Sequence, residues 1–266
     1  MTFTHEGIDF AYSAESGDGK PLVMLHGLGG SRQDAMNLLS DTEGVQLLTL
    51  DLRGHGDTDE LVEERDASFH TFSEDVLAFL NHLNLRQLLL GGVSMGAATT
   101  LSAAVKEPGR FRGLVLVRPA WLDAPEPEHL RIYLKLASHL EQFGPAEGEI
   151  KFQFTPDFAA YSHRNPVAGQ SLLGQFTREQ AAGNADLLRG LVQDKPLVSM
   201  NELQRITCPV LVVGSQQDPT HPWRLAQKLA EALPNAQLTE VTSAYADRAT
   251  HQREVRAAVQ NFVAGL

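Results

Sequence analysis

Ser94 stands in Gly92-Val93-Ser94-Met95-Gly96, a spacing that can turn a serine hydroxyl into a nucleophile. The apolar run Gln87-Leu88-Leu89-Leu90-Gly91 before it reads as a buried strand, and the small residues Ala97 to Val105 after it suit a tightly packed helix. A strand-to-helix turn this sharp leaves no room for side chains beside the serine, which explains Gly92 and Gly96. The hydroxyl is then presented at the carboxyl end of a sheet, with the Met95 amide aimed where an oxyanion would form. Such a serine still needs a base to take its proton as it attacks. Histidine titrates close to neutral pH, so it can accept that proton and return it to a leaving group. A carboxylate on the far ring nitrogen fixes the tautomer and stabilises the imidazolium. Other elements of the chain must bring these partners to Ser94.

Strands alternate with helices along the sequence, the pattern of a mostly parallel central sheet with helices on both faces, an α/β architecture. Phe3 to Tyr12 reads as two short strands around the Glu6-Gly7 turn, followed by strands at Pro21–Leu25, Val45–Leu50 and Leu88–Leu90. Further strands are expected at Gly113–Val117, Pro209–Gly214 and Gln237–Val241. Helices are expected from Ser31 to about Leu39, from Ser73 to Leu83 with an apolar stripe at Val76, Leu77, Leu80 and Leu83, and from His251 to Val263. The strand rhythm stops between the sixth and seventh strands. That stretch carries Trp121, Tyr133, Phe143, Phe152, Phe154, Phe158, Tyr161 and Phe176 and reads as a helical cap, residues 119–205, inserted into a core made of residues 1–118 and 206–266. The cap should lie over the carboxyl ends of the strands, where such sheets bind ligands.

Composition narrows the function classes. The 266 residues suffice for one large domain with an insertion, and the formal net charge of −11 argues against nucleic acid or an anionic membrane as partner. The lone cysteine, Cys208, precedes Pro209 at the start of an apolar strand and reads as a structural thiol. The amino terminus shows no basic region followed by an apolar run, and no uninterrupted apolar stretch is long enough to span a bilayer, so the cytoplasm is the expected location. The glycines form no phosphate cradle, and the histidines lack zinc-ligand spacing; neither cofactor nor metal is expected. The expected partner is a small-molecule substrate. Asp57 and Asp59 read as solvated loop acids.

Taken together and in order, four stretches resemble the α/β-hydrolase fold superfamily, in the branch with a serine nucleophile and a helical cap after the sixth strand. They are His26-Gly27-Leu28-Gly29, Asp51-Leu52-Arg53-Gly54-His55-Gly56, the turn at Ser94, and Gly214-Ser215-Gln216-Gln217-Asp218-Pro219-Thr220-His221-Pro222. The resemblance implies the chain order nucleophile, acid, histidine: Ser94, Asp218 and His251. It also implies an oxyanion hole from the backbone amides of Met95 and Leu28. Asp123 is the alternative acid. His251 lacks the glycine usual just before this histidine, and His221 is its alternative, although a base on the same loop as Asp218 makes an awkward triad. His26 is expected to organise its loop through hydrogen bonds and is also a candidate substrate-binding residue, and Asp51, Arg53 and His55 form a bracing turn.

The implied activity is acyl-enzyme hydrolysis of a small or medium carboxylic ester or lactone. Dehalogenases and epoxide hydrolases of this fold use aspartate where this chain has Ser94. A carbon–carbon bond hydrolase of a keto acid is the alternative enzyme, and a ligand-binding receptor or pseudoenzyme the alternative of another class. Arg118 could hold a substrate carboxylate, or form a structural salt bridge. Trp121 could line an apolar pocket or serve cap packing.

Overall fold

The computed structural model describes residues 1–58, 62–178 and 181–266; Asp59 lies outside them. An eight-stranded sheet has the order β1-β2-β4-β3-β5-β6-β7-β8. Its strands are β1 (Thr2–His5), β2 (Ile8–Ala14), β3 (Lys20–Leu25), β4 (Val45–Leu50), β5 (Leu88–Val93), β6 (Phe111–Val117), β7 (Val210–Gly214) and β8 (Ala236–Glu240). Within this sheet, among the described residues, the β1–β2 and β2–β4 pairings are antiparallel. From β4 onward every pairing is parallel.

Strands covered on both faces read as continuous apolar runs, and period-two alternation sends their side chains to opposite layers. Leu22 and Met24 of β3 point to one face, where α1 (Arg32–Leu39) and α9 (Arg248–Ala264) supply Leu38, Leu39, Val255, Val259 and Phe262. Val23 and Leu25 point to the other face, against α2 (Phe69–His82), α3 (Met95–Lys106) and α8 (Trp223–Ala232). The apolar stripe expected from Ser73 lies within α2, which starts earlier because Ser68 accepts the Thr71 N–H and caps it.

Between β6 and β7, which are paired neighbours, lie α4 (Arg131–Gln153), α5 (Pro156–Arg164), α6 (Pro166–Leu173) and α7 (Asn184–Gln193). α4 breaks at Gly144, whose φ of 70° precedes Pro145. Thr155 and Asn165 cap α5 and α6, each with proline at the first helical position. These helices enclose their own apolar cluster, including Leu136, Leu140, Phe152, Phe158, Leu172, Phe176 and Leu188. Leu28 and Tyr133 pack against both this cluster and the main core, so the inserted helices sit over the carboxyl end of β3. Among the described residues, no helix is long and apolar enough to cross a membrane.

The loop after β4 is held by buried polar groups. The fully buried Asp51 carboxylate accepts from the backbone and guanidinium of Arg32 and, at 3.0 Å, from the Asp57 N–H. Asp57 itself is exposed but ion-paired to Arg32 at 2.6 Å. Arg53 donates through Nε and Nη2 to the two oxygens of Asp75, both at 2.7 Å, locking this loop onto α2. The rings of His26 and His55 are both buried, with centroids 4.8 Å apart. Burial pushes both imidazoles below their ordinary range, and for His55 the nearby His26 and Arg178 push the same way.

Two measurements check this reading. Arg53→Met leaves the Asp75 carboxylate buried without its fork, so urea unfolding should show a loss of about 3–5 kcal/mol. For His26 and His55, the folded state refuses protons that the unfolded chain accepts below the ordinary imidazole value of 6.5. Stability should therefore be fully present above that pH and fall as the pH drops through it. A flat unfolding free energy between about pH 7 and pH 5 would contradict this, since the unfolded imidazole titrates in that window.

Candidate active site

The turn between β5 and α3 holds Ser94 at φ 55° and ψ −110°, a strained conformation for a residue with a side chain. A Cβ at Gly96 would lie 2.6 Å from the carbonyl oxygens of Leu25 and His26, and one at Gly92 would overlap the Gly96 carbonyl. Ser94 donates its N–H to Val117 O on the neighbouring strand at 2.9 Å, which fixes the turn against β6. Met95 opens α3, so its N–H belongs to the free amides of a helix start.

The loop after β3 passes beside the serine: a Cβ at Gly27 would stand 3.5 Å from Ser94 Cβ. His26 braces this loop. Its Nε2 accepts the Leu52 N–H at 3.0 Å, so Nδ1 carries the proton and donates to Gly27 O at 2.8 Å. Leu28 follows on the stretch that this bond orders.

The imidazole against Ser94 belongs to His221. Its Nδ1 lies 3.0 Å from both oxygens of Asp218 and donates to that carboxylate; Nε2 is then the acceptor for Ser94 Oγ at 2.8 Å. His251, expected in this place, does not contact Ser94. It sits in the first turn of α9, where the helix sets its direction, and donates from Nδ1 to Thr242 O at 2.8 Å. It lines a 350 Å³ cavity together with His26, Arg118 and Tyr245. The loop after β8 contributes Tyr245, whose hydroxyl lies 3.3 Å from Thr220 Oγ1.

The awkwardness expected of a base on the acid's own loop is removed by a local turn. Asp218 Oδ1 accepts the Thr220 N–H at 3.1 Å and the His221 N–H at 3.0 Å. This aspartate turn curls the chain back, so that a side chain three residues on meets the same carboxylate. The Asp-x-x-His spacing was the sequence signal for it. Tyr161 of α5 and Tyr245 hold Thr220, with oxygens 2.6 Å and 3.3 Å from its Oγ1, and thus pin the loop from the inserted helices and from the loop after β8. Neither tyrosine carries a motif, and sequence reasoning missed both.

Charge distribution suits a resting base. Burial alone would raise the Asp218 carboxyl, but His221 and Arg118 outweigh it and hold it well below the usual carboxylate range. Burial lowers His221, opposed by Asp218 and reinforced by Arg118 and His251, so its imidazole is neutral at neutral pH. Burial also takes His129, whose Nε2 donates to Ala120 O at 2.8 Å, down to about 4.

The remaining expected residues have other places. Arg118 is no free anchor for a substrate carboxylate, because its Nε donates to Asp218 Oδ2 at 2.8 Å. Trp121 is engaged in packing: its indole donates to Leu191 O at 2.9 Å and meets Phe69 edge-on at 5.4 Å. Asp123 accepts the Met200 N–H at 3.3 Å and takes no part in the Ser94 cluster. Cys208 is half-buried, and burial pushes its thiol up, away from nucleophile chemistry.

A serine, a neutral imidazole and a carboxylate in this chain of contacts can move one proton off the hydroxyl and back to a leaving group. Comparison with known proteins agrees with the architecture. A protein of Pseudomonas savastanoi pv. phaseolicola named as a carbamate hydrolase is 27% identical over 232 residues, 85% of this chain and 86% of that protein. The dihydrolipoyllysine-residue acetyltransferase component of the acetoin cleaving system of Pseudomonas putida is 29% identical over 203 residues, 75% of this chain. The match spans 46% of that relative's length. The structure of a thermophilic esterase from Thermogutta terrifontis is similar with a TM-score of 0.75 at 21% identity, covering 99% of this chain and 96% of that one. The family model of the α/β hydrolase fold matches residues 20–246, which hold β3 to β8 and the inserted helices, and the chain belongs to that family.

Proposed function

We propose that this chain is a serine hydrolase working through an acyl-enzyme, with Ser94 as nucleophile, His221 as general base and acid, and Asp218 as the orienting carboxylate. The observation that carries the reading is the contact of Ser94 Oγ with His221 Nε2 at 2.8 Å, while Nδ1 of the same ring lies 3.0 Å from Asp218. As Oγ attacks a substrate carbonyl carbon, its proton passes to Nε2 and the carbonyl π pair moves to oxygen. The amides of Met95 and Leu28 stabilise that oxyanion. Its collapse breaks the bond to the leaving group, which takes the proton from Nε2. Water then gives a proton to the same nitrogen and attacks the acyl carbon; the acid product departs and Ser94 regains its hydrogen. Imidazole is neutral before each attack, consistent with its lowered proton affinity.

The substrate class is a small or medium carboxylic ester or lactone. The names of similar proteins, an esterase and a carbamate hydrolase, fit two-step chemistry at an activated carbonyl. The keto-acid reading loses its proposed anchor, since Arg118 is ion-paired to Asp218.

Covalent labelling by a fluorophosphonate, read by intact mass, tests the assignment. Wild type should gain one adduct, and Ser94→Ala none. His221→Ala should slow labelling by about 10²–10⁴-fold, the usual worth of a general base, while His251→Ala should label at nearly the wild-type rate. Fast labelling of the His221 variant with loss in the His251 variant would reverse the assignment. With an ester substrate, Asp218→Asn should lower kcat strongly with little change in KM; unchanged kcat would remove Asp218 from the mechanism.

A further inference from the structure

An acid and a base three residues apart on one loop hold each other, but nothing in that pairing fixes them relative to a serine in the turn after β5. The loop could swing as a unit and carry His221 away from Ser94 without breaking the Asp218–His221 contact. Some element rigidly tied to Ser94 has to grip the loop.

Arg118 meets that requirement. It follows Val117, whose carbonyl accepts the Ser94 N–H at 2.9 Å, and its own N–H donates to Val213 O of β7 at 2.7 Å. Its guanidinium reaches Asp218 Oδ2 with Nε at 2.8 Å and Nη2 at 2.7 Å. The oxygen it takes is the one not engaged by the backbone amides of Thr220 and His221. Tyr245 covers the cation, with its ring centroid 4.9 Å from Cζ. Arg118 holds φ at 51°, a left-handed conformation that costs a side-chain-bearing residue roughly 1 kcal/mol or more. Surrounding contacts therefore hold it there against a local preference. One residue thus links the strand that receives the Ser94 amide to the carboxylate that orients His221.

We propose that Arg118 is a positioning residue, which registers the Asp218–His221 loop against Ser94 by clamping the outer oxygen of Asp218 from the end of β6. The inference rests on the proposed roles of Ser94, His221 and Asp218. Its cation also repels a proton on His221. The other charged or titratable groups around the pair include His251 from α9, His129 from the segment before α4, Arg224 of α8 on the same cavity as Asp218, and the phenols of Tyr133, Tyr161 and Tyr245. Arg118 is the permanently charged cation that pairs with the carboxylate itself. Burial keeps the resting imidazole neutral, and the cation beside the carboxylate reinforces that direction.

The test uses the full chain with p-nitrophenyl acetate as substrate, in wild type, Arg118→Met and Arg118→Lys. The acid limb of kcat/KM reports the free enzyme's base. In wild type it should lie below pH 6.5, the ordinary imidazole value. Arg118→Met should move it upward by about one unit or more, the usual effect of a neighbouring charge. Its kcat should also fall by about 10–100-fold, as expected when a reacting group is misplaced by up to an ångström. Arg118→Lys keeps the charge but loses the planar fork; it should keep the acid limb and lose much of kcat. If Arg118→Met does not fold, the lysine variant decides: wild-type kcat there would overturn the proposal. A folded Arg118→Met with an unmoved acid limb and unchanged kcat would overturn it as well. NMR titration of the His221 ring in the same variants reads the charge effect without turnover. It therefore separates failure of this proposal, an unmoved titration, from failure of the hydrolase assignment, an unlabelled Ser94.

Discussion

The buried carboxylate of Asp218 is the contact on which the arrangement around Ser94 depends. A carboxylate removed from water survives as an anion only if donors replace the lost hydration. Here one oxygen receives two backbone amides of its own loop and the other receives the Arg118 guanidinium, while the His221 ring lies 3.0 Å from both. Each donor is thereby fixed as well. The amides impose the turn, the ring acquires its tautomer, and the arginine fastens the turn to β6. Removing the charge would release all of them together.

The same logic of satisfied burial recurs in the supporting loops. Asp51 closes the loop after β4 around Arg32, Asp75 holds Arg53, and His26 ties the loop after β3 to the Leu52 amide. These groups sit at the carboxyl ends of parallel strands, where backbone leaves the sheet and needs new partners. The apolar layers on both faces of the sheet set where those strand ends come together, and the polar groups then set the path of each loop. The inserted helices add the last constraint through Leu28, which packs on both apolar clusters, and through Tyr161, which reaches Thr220.

Much of this was legible in the sequence because it is local. Short continuous apolar runs marked the strands, and the glycines at positions 92 and 96 marked a turn that steric contact alone enforces. His26 was also readable as an organiser of its loop, since its hydrogen bond to Gly27 is a nearest-neighbour contact.

The choice between His221 and His251 could not be read this way. Chain order favoured the histidine after the last strand, but whether a side chain reaches Ser94 depends on the direction it leaves its element. The first turn of α9 turns His251 toward Thr242, and the aspartate turn brings His221 back to Ser94. The partner of Arg118 was equally hidden, because a guanidinium at a strand end meets a substrate or a neighbouring loop according to how β6 and β7 are stacked. By itself, then, the sequence determined the strands, the sharp turn at Ser94 and the set of groups able to do chemistry, all consequences of short-range sterics and apolar periodicity. Only the tertiary structure decided which histidine meets the serine and what Arg118 holds, because those contacts join residues 127 and 100 positions apart across a folded sheet.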